Sequence, residues 1–136
     1  MQHRTSGIVF VRRGVFRWIR EREEFLADPT SILFFNHSEP CRFAHPVAGG
    51  DDCTIVALDT PAALELVARH APRDAEDPEV PFRFGYGACS SRAAWLHCEL
   101  LARTREGSSL ALEDVLAELT DEAMRAGCRS HARPPR

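Results

Sequence analysis

His37, Glu39, Cys41 and His45 fall on odd-numbered positions of one short stretch. On a single straight strand such positions share a face, and imidazole, carboxylate and thiolate are all ligands for zinc or iron. The stretch does not read as one strand, however. Asn36-His37-Ser38-Glu39-Pro40 is turn-forming, because Asn and Ser bond their own backbone and Pro fixes φ. The period therefore breaks between Glu39 and Cys41, and no metal or other cofactor is expected. Other catalytic patterns are missing as well. Asp51-Asp52 after Gly49-Gly50 reads as a solvated turn, and Ser90-Ser91 has no G-x-S-x-G context. The sequence holds no phosphate loop, dinucleotide fingerprint or H-E-x-x-H. No catalytic residue is assigned, and the chain is read as a non-enzyme.

Ligand binding is the chemistry the residues favour. Phe16, Trp18, Phe34 and Phe43 are large aromatics on neighbouring strands, and together they can floor a ligand cavity or fill a core. Arg12, Arg17, Arg20 and Arg42 lie among them. An inward Arg beside an aromatic favours an anionic ligand, because a buried guanidinium needs a partner. The candidate effector-binding residues are Phe16, Trp18, Phe34, Arg42, Phe43 and His45. Cys53 and Cys98 read as buried structural cysteines, and His97 as a helix-face residue.

The elements that must position these residues begin with strands. Gly7–Arg12 alternates, with Ile8 and Phe10 facing one way and Val9 and Val11 the other. Val15–Arg20 puts Phe16 and Trp18 on one face, and Glu24–Ala27 returns after a charged tip at 21–23. Ile32–Phe35, Cys41–His45 and Thr54–Leu58 follow, separated by turns at 36–40 and 49–52. Tight turns leave no room for a crossover, so these three strands are expected to pair with one another antiparallel. About six short strands in the first 58 residues predict a small sandwich or barrel, apolar on both faces.

Helices take over at residue 60. Thr60 is the expected N-cap, with Pro61 at the first helical position and Leu64 and Val67 as an apolar stripe over 62–70. Residues 71–81 are acidic and proline-rich and read as an exposed, mobile connection. Phe82–Tyr86 is a short extended segment able to dock its aromatics on the sheet. Ser90 or Ser91 caps a helix to about Thr104, with Ala94, Trp95, Cys98, Leu101 and Ala102 as its apolar face. A second helix over 110–126 carries Leu112, Val115, Leu116, Leu119 and Ala123 at helical spacing, the candidate dimer interface, and Gly127 is its expected stop. The units predicted are a β domain over 1–60, a helix and Pro-rich connection over 61–81, a dimerising antiparallel helical hairpin over 82–127, and a linker or tail over 128–136.

Composition narrows the class. The chain has 136 residues, 44% hydrophobic and 27% charged, and its net charge of −3 provides no basic field for nucleic acid. All 17 basic residues are arginine and are scattered along the chain. Five cysteines, odd in number and without a C-x-x-C pair, argue against a disulfide framework and for a reducing cytosol. No signal peptide or membrane span is expected, and the predicted location is cytoplasmic.

Val-Arg-Arg-Gly-Val-Phe at 11–16, Ala-Asp-Pro at 27–29, Phe-Phe-Asn-x-x-Glu-Pro at 34–40 and His-Pro-Val-x-Gly-Gly-Asp-Asp-Cys-Thr at 45–54 stand in sequence order. In that order and spacing they resemble the N-terminal cupin-like domain of AraC-type transcriptional regulators, and the likeness continues to about residue 126. The resemblance implies a mainly β fold with C-terminal helices: a cupin-like, double-stranded β-helix barrel followed by a helical hairpin. It implies a homodimer and a small-molecule effector. DNA would be bound only through a C-terminal helix-turn-helix domain, which this chain does not contain. The metal-binding cupin pattern, two His separated by one residue and then Glu and a distant His, does not occur. Two other readings remain open at this level: a small cupin enzyme, an isomerase or metal-dependent oxygenase, and a ligand-independent dimerisation module.

Overall fold

A computed structural model describes residues 5–20, 23–38, 41–44, 52–107 and 109–132, with side chains omitted for 41–44 and 131–132. Seven strands and three α-helices follow in order: β1 Ser6–Arg13, β2 Phe16–Arg20, β3 Glu23–Ala27, β4 Ser31–Phe35, β5 Cys41–Ala44, β6 Asp52–Leu58, α1 Thr60–His70, β7 Tyr86–Ala88, α2 Ser91–Glu106 and α3 Ser109–Ala132. The strands form two antiparallel sheets, β6-β1-β4-β7 and β3-β2-β5. No closed barrel forms among the described residues.

The six early strands stand where the alternation puts them, but their pairing differs from expectation. Among the described residues β4, β5 and β6 do not pair with one another. β4 and β6 flank β1, and β5 joins β2 in the other sheet. The reason is two-sided burial. A strand apolar on both faces, such as β4, is stable only between two layers. Its neighbours are therefore chosen by sheet packing and not by sequence adjacency. Gly14, at φ 101°, makes the turn from β1 into β2, a conformation open to glycine without strain.

Alternation along β1 and β4 divides the interior into two cores. Ile8, Phe10, Ile32 and Phe34 face the helices, where they meet Val56, Leu66, Val67, Phe82, Phe84, Leu96, Leu119 and Met124. Val9, Val11, Leu33 and Phe35 face the second sheet and pack on Phe16, Trp18 and Ala27. The helices thus share a core with the four-stranded sheet, and the segment after residue 82 supplies that sheet's edge strand β7.

The helix termini follow simple capping chemistry, with one correction. Asp59, not Thr60, is the N-cap of α1, and its carboxylate accepts the Ala62 N–H at 2.9 Å. The inward residues of α1 are Ala63, Leu66 and Val67. Ser90 caps α2 by accepting from Ala93 N at 3.0 Å, and Gly107 ends it at φ 74°. The buried face of α2 is Ala93, Leu96, His97 and Leu100. Of the stripe expected to be buried, Ala94, Trp95 and Cys98 are exposed, Trp95 at 58%, and Leu101 and Ala102 are only partly buried. α3 runs through Gly127 to Ala132. A Cβ at Gly127 would collide with the Phe84 ring, so this glycine admits a docked aromatic instead of stopping the helix.

Residues 71–81 are held, not loose. Asp74–Glu76 forms a 3-10 turn. The β4–β5 turn then grips the segment: His37 Nε2 lies 2.9 Å from Pro78 O, and the Ser38 hydroxyl donates to Glu79 O. Asn36 closes a two-point clamp on Phe82, its Nδ2 donating to the carbonyl and its Oδ1 accepting the N–H, both at 2.8 Å. Buried Arg20 donates to the same carbonyl at 2.7 Å. Polar expectations at 37–38 and 20 are thereby absorbed into backbone satisfaction.

Candidate ligand-binding site

The aromatic residues singled out in the sequence do not floor one cavity. Phe16 and Trp18 are fully buried between the sheets, where Trp18 meets Phe35 at 6.3 Å between centroids. Phe34 points to the opposite face and packs edge-on against Phe84 at 4.7 Å. The two-residue period of a strand makes this unavoidable, because Leu33 and Phe35 take the inter-sheet side. Arg42 and Phe43 lie on β5, with side chains outside the described residues. His45, Glu39 and the 49–51 turn also lie outside them. Among the described residues Arg20 is buried and donates to the Phe82 carbonyl.

The proposed seam residues divide. Leu119 and Ala123 are fully buried in the chain's own helix-facing core. Leu112, Val115 and Leu116 are half-buried at its rim.

The structure brings together a site that sequence reading did not assemble. A cavity of about 210 Å³ opens between β1, the 28–31 turn and α2, and its walls include Phe10, Arg12, Cys89, His97, Cys98 and Leu101. Its rim is rigid for local reasons. Asp28 accepts the Thr30 N–H at 2.8 Å and the Thr30 hydroxyl, and these two bonds hold its carboxyl below the ordinary value of 3.8. Cys89 N then donates to Thr30 O at 2.7 Å, tying the start of α2 to this turn.

His97 is the central polar group. Its Nε2 lies 2.8 Å from Thr54 Oγ1 on β6, and its ring sits 5.4 Å from that of Phe10. Burial, aided by the Arg12 charge, pushes its pKa below the ordinary 6.5, so the imidazole is neutral at pH 7. Arg12 is itself paired with Asp52. Burial first, and Cys98 second, raises the Cys89 thiol above 9.0, so it stays protonated. Cys98 is exposed at the mouth, contrary to its expected burial. Apolar walls with a neutral imidazole, protonated thiol and guanidinium make a binding surface for a small, mostly apolar molecule. The signal available in the sequence was His97 itself, at the same helical spacing as Ala93 and Leu100. Its partners lie 43 residues away at Thr54 and farther still at Phe10 and Arg12.

No group of three or more potential metal ligands occurs among the described residues. No helix among them is long and apolar enough to cross a membrane. No protein-family model and no curated protein matches the sequence. Among solved structures, the crystal structure of the AraC-like transcriptional activator CuxR matches with a TM-score of 0.54 at 15% identity. The match covers 98% of this chain and 45% of that one, so this chain spans less than half the length of its structural neighbour. Two facing antiparallel sheets with a helical layer on one of them are thus a fold shared with an AraC-like activator.

Proposed function

We propose that the chain is a ligand-sensing and dimerising domain of an AraC-type transcriptional regulator, built as a cupin-like β unit with a helical hairpin, and not an enzyme. The observation that carries this reading is the fold likeness to an AraC-like activator over 98% of the chain. The motifs at 11–16, 27–29, 34–40 and 45–54 support it independently.

The effector site is the cavity beside His97. Its walls come from β1, the 28–31 turn and α2, so a bound molecule contacts both sheet and helical hairpin. A ligand that fits one arrangement of these layers better than another shifts their population, and can do so only by that difference in affinity. Partners are a second copy of this chain and a small-molecule effector. DNA contact belongs to helix-turn-helix units outside this chain, and the site of action is the cytoplasm.

The dimer surface is formed by the exposed and half-buried apolar residues of the hairpin. Trp95 is 58% and Leu110 79% exposed, and Leu112, Val115 and Leu116 lie half-buried nearby in sequence on α3. Sedimentation should give a dimer for the wild-type chain and a folded monomer for Trp95→Arg with Leu116→Arg. An unchanged dimer would sink this surface. Reading the native gene beyond the codon for Arg136 tests the larger claim, and two helix-turn-helix units there are the expected result. Another downstream domain type, or none, would overturn the reading.

A further inference from the structure

A second cleft lies at the edges of both sheets, along β7 and the end of α3. Phe25 on β3 and Tyr86 on β7 bridge the two sheet edges as a near-parallel ring stack, with centroids 5.4 Å apart and planes 12° off. Outside this stack are two adjoining cavities of about 410 and 330 Å³. Both are lined by Tyr86 and Ser130, so they form one trough. Arg129 lines the larger part, and Glu23 and Arg83 line the smaller.

We infer that this trough is a binding site for a planar aromatic anion, an aryl carboxylate or aryl phosphate. The aromatic pair offers a π surface to a flat ring, at the offset or edge-on geometries such rings prefer. The charges set the direction of the ligand. Arg83 is partly engaged by Asp77 at 3.6 Å and shares its cavity with Glu23. Arg129 is exposed and has no ion pair among the described residues. The anionic group therefore sits at the Arg129 and Ser130 end, where a planar guanidinium and a hydroxyl can both donate to it. The ring then lies against Tyr86, away from the Glu23 carboxylate.

The site also has a mechanical consequence. Arg129 and Ser130 belong to the last described turns of α3, while Tyr86 and Phe25 belong to the sheets. β7 and α3 already approach closely, for a Cβ on Gly87 would lie 2.9 Å from the Gly127 nitrogen. A ligand spanning the trough adds a second tie and fixes the end of α3 to the sheet edge. The inference stands apart from the effector cavity beside His97, and holds whether or not the domain regulates transcription.

The test is an NMR titration of the whole 136-residue chain with 2-naphthoate, 2-naphthyl phosphate and, as the neutral control, 2-naphthamide. The expected result is saturable shifts of the amides of Gly85–Ala88 and Cys128–Ser130 with at least one anion, and at least tenfold weaker binding of the amide. Whichever anion binds more tightly identifies the head group. Arg129→Gln should weaken the anion at least tenfold while keeping the wild-type spectrum, because the residue is exposed. Glu23→Gln, on the opposite wall, should tighten it. Binding of 2-naphthamide as tight as the anions, shifts mapping elsewhere, an unaffected Arg129→Gln, or no saturation with any probe would overturn the assignment.

Discussion

The two faces of the four-stranded sheet are both apolar, yet they are closed in different ways. On the inter-sheet side, Val9, Val11, Leu33 and Phe35 meet Phe16, Trp18 and Ala27. All of these come from the first 35 residues, and the packing is side chain against side chain. On the helix side, Ile8, Phe10, Ile32 and Phe34 are covered by residues from 56 to 126. Buried polar groups join that cover to the sheet, namely Asn36 below it and His97 within it. Each of them needs a partner far away in sequence, and where the cover is incomplete the His97 cavity remains. The local face is thus a filled core. The long-range face combines packing with polar commitments, and the candidate ligand site lies on it.

The sharpest way to break this contrast is to remove one large aromatic from each side. Trp18→Ala and Phe34→Ala should each cost about 3–5 kcal/mol in denaturant unfolding, since both are fully buried. They should differ in where protection is lost. Phe34→Ala should speed hydrogen exchange at Phe82, because Phe34 packs on Phe82 and Phe84. Trp18→Ala should leave that amide's exchange closer to the global rate. Equal effects of the two on Phe82 would mean that the faces are not separable.

Asn36→Ala tests the polar commitment directly. It removes both bonds of the clamp and leaves the buried Phe82 N–H without its acceptor, at a cost of about 1–3 kcal/mol. A loss below the error of the unfolding measurement would show that the 78–82 segment is held by its aromatics alone. Gly127→Ala should cost a similar ~1–3 kcal/mol, because the added methyl meets the Phe84 ring and the close fit must shift. Ser90→Ala, which removes the cap of α2, should cost about 1 kcal/mol in the same assay.

The smallest effect is that of pH. His97 has a folded pKa below the unfolded value near 6.5, so between the two values the unfolded chain binds more protons. Its contribution is therefore present above pH 6.5 and is lost as pH falls through the folded value. His97→Gln should flatten that part of the stability profile. Asp28 acts in the same direction in a lower window, below 3.8, where protonation loosens the Thr30 bonds.

Much of this was readable in advance. The face assignments of Ile8, Phe10, Val9, Val11, Phe16 and Trp18 follow from alternation alone, and the structure keeps each of them. The docking of the Phe82–Tyr86 segment and the Ser90 cap were equally legible. The helix stripes were less so. α2 carries apolar residues on two faces, and periodicity favoured Ala94, Trp95, Cys98 and Leu101 over the face that is buried. The inner face includes a histidine, whose burial depends on a hydroxyl at Thr54 that no local pattern announces. Gly127 misled for a related reason. A glycine inside a helix reads as a stop until a ring is known to press on it.

The sequence by itself determined the strand and helix order, the N-caps of α1 and α2 within one position, and which strand residues share a face. These are set by near-neighbour sterics and by period-two or period-3.6 burial, which act over a few residues. Tertiary structure alone decided that β5 leaves its sequence neighbours for the second sheet, and that Phe34 is parted from Phe16 and Trp18 by the sheet itself. It also decided that the 71–81 segment is latched by Asn36, His37 and Ser38, and that His97, Cys89 and Arg12 wall one cavity. Each depends on which surfaces meet between segments well separated in sequence, beyond the reach of any local pattern. That choice minimises buried unsatisfied polar groups and empty volume for the chain as a whole.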